Sequence, residues 1–228
     1  MSTHNRSTHR VVKIRGAHVL DPFRGVQSEN EDVFVADGHI ILSDDERVAS
    51  TDIETVDAMG LWLVPRLTDM HVHFRVPGQE WKEDLASGSR AAAAGGFTVV
   101  APMGNTDPPI DLPSLVEWQK LRGEAIGLVR IVPIGTISQG LRGEQLADLH
   151  AMERSGAVGF SDDGRVVPSS RLLRAALSYS VTLNHPIIEH AEDSVLAKGS
   201  AMHEGEVSHR LGLPGVPAEG LSVGFYEP

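Results

Sequence analysis

The stretch Leu61-Trp-Leu-Val-Pro-Arg-Leu-Thr-Asp69-Met-His71-Val-His73-Phe-Arg75-Val-Pro77-Gly78 decides how the rest of the chain is read. An apolar run, residues 61–64, leads toward two histidines separated by one residue, and a Pro-Gly turn follows. In extended backbone, residues two apart face the same side, so His71 and His73 project together at the end of a strand. Two histidines on one strand face are commonly plain polar residues. At a strand C-terminus they are also the beginning of a metal site.

Downstream of this stretch, apolar strands alternate with helical segments. Strands are predicted at 61–64 leading to His71, then at 97–103, 129–137, 157–161 and 186–190, with helices at 83–94, 115–124, 144–155 and 170–180. Ser114 and Glu117 offer a capping box for the second helix, and Gly95-Gly96 a stop for the first. Such alternation predicts a parallel sheet, either a barrel or a doubly wound sheet. Strand starts at 62, 97, 129, 157 and 186 give a repeat of about 31 residues, so eight units need about 250. Residues 62–228 hold 167, room for about five units. The fold class expected is therefore α/β, a (β/α)8 TIM-like barrel that is incomplete at about five of eight units.

Upstream, residues 11–61 carry short β-like runs at 11–14, 32–35 and 40–43, with Asp37-Gly38 as a hairpin signal between two of them. This is read as a small β-module preceding the barrel domain at 62–228. Residues 1–10 are polar and read as a disordered tail.

The chain has 228 residues, with Lys+Arg 20 against Asp+Glu 31 and a net charge of −11. With no Lys/Arg cluster, that balance argues against nucleic acid or an anionic membrane as partner. The hydrophobic share of 41% excludes global disorder. Cysteine is absent, which excludes disulfide scaffolds, thiolate-bound zinc and thiol nucleophiles. The longest apolar-rich stretch, 91–110, is interrupted by Gly95-Gly96, Asn105 and Pro108-Pro109, unlike a membrane span. A soluble, cytoplasmic protein is expected.

Two further features end predicted strands. Phe160-Ser-Asp162-Asp163-Gly164 reads either as an Asx-type turn or as a carboxylate at a barrel mouth. Ile187-Ile-Glu189-His190-Ala-Glu192-Asp193 reads either as a hydrogen-bonded structural histidine or as another ligand. All three features fall at strand C-termini of the same sheet. Imidazole and carboxylate without thiolate suit zinc or a similar divalent ion.

Together the pieces DMHVHFRVPG (69–78), KEDLASGSRAAAAGGFTVVAPMGNTDP (82–108), GAVGFSDDG (156–164), IIEHAED (187–193) and MHEGEVSHRLGLPGVPAE (202–219) resemble the cyclic amidohydrolases, most closely the class I dihydroorotases. The resemblance covers residues 55–219. It implies that His71 and His73 ligate a first zinc, that Asp163 ligates at or between two zincs, and that His190 ligates the second. Arg75 and Asn105 are similar to residues that hold a substrate carboxylate, a role suited to guanidinium–carboxylate pairing. Hydantoinases and dihydropyrimidinases place a carboxylated lysine on the strand that here reads GAVGFSDDG and has none, which favours the dihydroorotase reading.

The implied reaction is the reversible conversion of dihydroorotate to N-carbamoyl-aspartate in pyrimidine (UMP) biosynthesis. A divalent ion would activate water and polarise the ring amide carbonyl. A carboxylate that does not ligate the metal would carry the proton to the leaving nitrogen. The family's catalytic aspartate and a further metal-binding histidine are expected beyond Glu219, where the tail Gly220–Pro228 (GLSVGFYEP) contains neither residue type. The catalytic aspartate is thus expected to lie beyond Pro228, and the chain to be truncated with no catalytic aspartate of its own. Arg66 and Gly104 stand where the family usually has glycine and proline. Alternatives are another cyclic amidohydrolase of the allantoinase or hydantoinase type, or a non-catalytic homologue that scaffolds aspartate transcarbamoylase. A homodimer is a further expectation.

Several residues take the plainer reading. His203-Glu204 is followed by His209 at a spacing that does not fit a zincin helix. Asp162 and Glu192 are read as solvated or as neighbours of ligands, and Trp62, Trp81 and Trp118 as packing residues.

Overall fold

Apolar residues spaced along Val11–Asp21 (β1) and Val26–Ala36 (β2) draw the two into an antiparallel pair, the first ladder of a computed structural model that describes residues 10–50 and 53–221. Asp37 and Gly38 then reverse the chain onto His39–Ile41 (β3). Both have positive φ, 51° and 77°, as a tight two-residue hairpin loop needs. A short helix, Glu46–Ser50 (α1), leads to Ile53–Asp57 (β4), which pairs in parallel with β1, and Trp62–Leu63 (β5) also pairs with β1. Val11, Phe34 and Ala36 form the core here, with Ile41, Val48 and Ile53 packed against them.

The apolar run at 61–64 therefore belongs to the sheet of the first compact unit, residues 1–66, and not to a barrel strand. Pro65 supplies the physical reason: lacking an N–H, it ends the ladder, and a new strand starts two residues later. Arg10, expected in the tail, donates from Nε to Glu54 at 3.0 Å; residues 1–9 of that tail lie outside the described residues.

In the second unit, residues 67–228, the order is Leu67–Val72 (β6), Leu85–Ala94 (α2), Phe97–Pro102 (β7), Pro113–Ile126 (α3) and Arg130–Ile131 (β8), with the strands parallel in the order β6-β7-β8. Parallel pairing continues beyond β8 as single bridges, Gly135 to Phe160 and Phe160 to Ile187. Bonds from Gly135 N to Gly159 O (3.0 Å) and from Ile188 N to Phe160 O (2.9 Å) carry it. Five parallel steps thus follow one another in chain order. The last three are shorter than the predicted strands, because Pro133 and Pro186 interrupt the donor pattern. Leu149–Arg154 (α4) and Ser170–Leu183 (α5) complete the helices that alternate with them.

Helix starts follow local chemistry. Asp84 caps α2, accepting from Ser87 N at 2.7 Å, while Ser87 Oγ accepts from Asp84 N at 3.1 Å. The box expected at Ser114 and Glu117 does not form. Pro113 takes the first helical position of α3, where its missing N–H costs nothing, so Ser114 lies inside the first turn. Gly95 and Gly96 end α2, the latter with φ 83°. The predicted helix 144–155 shrinks to α4 because its first residues pair elsewhere: Ala147 N donates to Ile137 O at 2.9 Å, and Leu146 bridges Ser138.

The two faces of these parallel segments differ. On one, strand residues pack with helix residues: Phe74, Val100 and Ile131 with Leu85, Ala92 and Ile126, then Ile137 and Phe160 with Val116, Met152 and Ala176. On the other, Ala101, Met103, Val132, Ile134, Val158 and Ile188 cluster without any helix residue. Further along, Met202–His203 (β9) pairs with Gly215–Val216 (β10), and Glu206–Leu211 (α6) lies between them. Trp62 and Trp81 are exposed, 81% for the latter, so neither is a core residue; Lys82 Nζ lies 4.9 Å from the Trp81 ring centre. Among the described residues, no helix is long and apolar enough to cross a membrane.

Candidate metal centre

Alternation along β6 separates two jobs. Val72 and Phe74 pack into the helix-side core, so His71 and His73 face the opposite side. Their ring centres lie 5.1 Å apart, nearly edge to face. Asp163, three residues past the Phe160 bridge, comes to meet them. Its Oδ1 lies 3.4 Å from His71 Nε2, and its Oδ2 lies 3.4 Å from His73 Nε2. One ligand atom from each residue falls within 4.8 Å of the others, and among the described residues this is the one such group of three. Each histidine thus aims the same ring nitrogen at a different oxygen of one carboxylate. That donor set fits a divalent ion that accepts imidazole and carboxylate.

Burial grades the three residues. The Asp163 side chain is 11% exposed, His73 30% and His71 47%. Burial first, and then the positive charge of Arg75, hold the His73 imidazole below its ordinary pKa, while Asp163 pulls the other way. The neutral ring, with a free nitrogen lone pair, is the form that binds a metal.

Asn105, from the loop after β7, joins the group. Its Nδ2 donates to Asp163 Oδ2 at 2.9 Å and to Asp163 O at 3.2 Å, and its Oδ1 lies 3.2 Å from His73 Nδ1. Arg75 turns the chain just past His73 in a left-handed conformation, φ 57°, and Gln79 N donates to its carbonyl at 3.0 Å. A non-glycine residue held there carries strain of order 1–3 kcal/mol, a pattern common beside functional sites.

The loops after β6 and β7 interlock. Asp107 N donates to Pro77 O at 3.0 Å, and a Cβ on Gly78 would sit 1.7 Å from Asp107 O. His190 follows the fifth parallel step but does not enter the three-residue group; its nearest charged partner is Glu192, 3.9 Å away. Residues 222–228 of the tail lie outside the described residues.

Asp162 departs from the reading as solvated. It is 2% exposed and accepts from Ile137 N at 2.8 Å, from Ser138 N at 3.0 Å, and from Ser138 Oγ. The carboxylate beside the ligand is a clamp between neighbouring strand ends. Its partners lie 24 and 25 residues away, so no local signal announces it. Glu189 is half-buried, accepting from Val167 N at 2.8 Å, and burial raises its pKa.

The site thus belongs to an α/β architecture in which parallel strands carry helices on one face and a His-x-His pair plus an aspartate on the other. A solved structure shares the fold: L-hydantoinase (dihydropyrimidinase) from Arthrobacter aurescens superposes with a TM-score of 0.66 at 23% identity, over 82% of this chain and 42% of that one. The family profile described as dihydro-orotase-like matches residues 60–223. Dihydroorotases are similar throughout: that of Desulforapulum autotrophicum is 41% identical over 93% of this chain and 50% of its own length, and that of a Geobacter species is 44% identical over 92% and 50%. The chain belongs to the dihydroorotase-like family, and it spans about half the length of the curated relatives it matches.

Proposed function

We propose that this chain is the metal-binding N-terminal portion of a dihydroorotase, acting on dihydroorotate and N-carbamoyl-aspartate. The observation that carries the reading is the convergence of His71 Nε2 and His73 Nε2 on the two oxygens of Asp163. Family membership supports the choice of substrate. The placement of helices on one face of five successive parallel segments supports a partial (β/α)8 barrel over a doubly wound sheet, which carries helices on both faces. The first unit, whose sheet also takes in β5, forms the β-module before it in this reading.

The ion proposed is zinc, and when bound it would supply Lewis-acid polarisation of the ring amide and an activated water. The remaining work falls to side chains. His71, His73 and Asp163 hold the ion, and His190 is assigned to a second one. Arg75, beside His73 at the strand end, orients the substrate carboxylate by a guanidinium fork.

Two measurements test this on the full chain. Calorimetric titration with Zn2+ is expected to show saturable binding that His71→Ala and Asp163→Ala each weaken by 100-fold or more, about 2.7 kcal/mol; binding that both variants leave unchanged sinks the site. Ring opening of dihydroorotate above the His71→Ala background supports the substrate assignment, whereas turnover of allantoin or hydantoin in its place transfers the chain to a sister activity.

A further inference from the structure

We infer that Asn105 is a positioning residue that holds His73 in its Nδ1–H tautomer and so keeps the Nε2 lone pair free for the metal. The inference rests on the metal reading above and goes beyond it, because the resemblance casts Asn105 as a contact for the substrate carboxylate.

The argument is one of donors and acceptors. Asp163 Oδ2 and Asp163 O can only accept, so the Asn105 atom that faces both, at 2.9 and 3.2 Å, is the amide nitrogen. That fixes the amide's orientation and leaves its oxygen toward His73 Nδ1 at 3.2 Å. An oxygen there calls for a hydrogen on Nδ1, and a neutral imidazole carries only one. Nε2 is then a bare lone pair aimed at Asp163.

Without Asn105 the preference reverses. Asp163 Oδ2, 3.4 Å from Nε2, would be the acceptor nearest the ring, and the ring would place its hydrogen on Nε2 and donate to it. That bond would block one histidine and one carboxylate oxygen at once. Asn105 prevents the ligands from satisfying each other. Its amide nitrogen is at the same time held on Asp163, so one side chain ties the histidine ligand to the carboxylate ligand.

The test uses the full chain, metal-free, with 15N-detected imidazole tautomers and Zn2+ alone as the ligand. In the wild-type chain His73 should be Nδ1–H. In Asn105→Leu it should convert to Nε2–H, and zinc affinity should fall about 10–100-fold, as for other partners that orient a metal ligand. Asn105→Asp is the second variant. It still accepts from Nδ1 and should keep the wild-type tautomer, while losing affinity through its missing donor to Asp163.

Zinc uptake by the wild-type chain together with an unchanged tautomer or unchanged affinity in Asn105→Leu overturns the inference alone. Loss of the Nδ1–H form in Asn105→Asp does the same, and it decides the matter if the leucine variant fails to fold. No zinc uptake by the wild-type chain overturns the metal reading and this inference together.

Discussion

At the scale of residues, the site depends on groups that never touch a ligand. Replacing Asp162 with alanine leaves two buried backbone N–H groups, Ile137 and Ser138, without an acceptor. At about 1–3 kcal/mol for each orphaned group, the variant should lose roughly 3–5 kcal/mol, read as a lower urea midpoint. Gly78→Ala should cost about 3 kcal/mol or more by the same measurement, because both its φ of 95° and the adjacent Asp107 carbonyl exclude a side chain. In the first unit Asp45 accepts from Arg47 Nε and Nη2 and from Arg47 N, which together hold its pKa at about 2. A carboxyl depressed on folding stabilises above its unfolded value near 3.8, and the contribution disappears as pH falls through about 2. Asp45→Asn should lower the urea midpoint near neutrality and flatten its dependence on pH across that window. His71 and His73 were legible in the sequence because their pairing is local, set by the two-residue strand period. Asp162 was not, since its partners come from another strand end.

Elements divide along the same line. The five parallel steps and the helices between them could be read from apolar runs and glycine stops, for these signals act over a few residues. What the sequence obscured was competition: Pro65 sends residues 61–64 to the first sheet, Pro113 displaces the serine cap, and residues 146–147 pair with the segment before them instead of joining α4. Gly123 shows how such contests are decided. Alanine in mid-helix is favoured over glycine by about 1 kcal/mol, but here its Cβ would lie 2.8 Å from Ile131 Cβ, where α3 lies on β8. Overpacking costs about 1–3 kcal/mol, so Gly123→Ala should be destabilising despite the better propensity, by about 1 kcal/mol in thermal or urea unfolding. An increase in stability would show that α3 can back away from the sheet.

For the whole chain, charge and exposed apolar surface oppose each other. A net charge of −11 disfavours association, whereas among the described residues β6 pairs within its sheet only with β7 and exposes Leu67 and Met70. Raising salt screens the repulsion and leaves the apolar attraction intact. Light scattering on the isolated chain should therefore show self-association that grows with both concentration and ionic strength; a mass independent of salt would remove β6 from consideration as a sticky edge. The same strand carries a second consequence. Its even-spaced and odd-spaced residues serve different masters, Val72 and Phe74 the helix-side core, His71 and His73 the open face. Deleting one residue between Thr68 and Met70 would exchange the two sets, sending imidazoles into the apolar layer and a phenyl ring toward Asp163. Evolution can therefore tune this strand by substitution but not by changing its length, for here the frame that folds the protein is also the frame that assembles its chemistry.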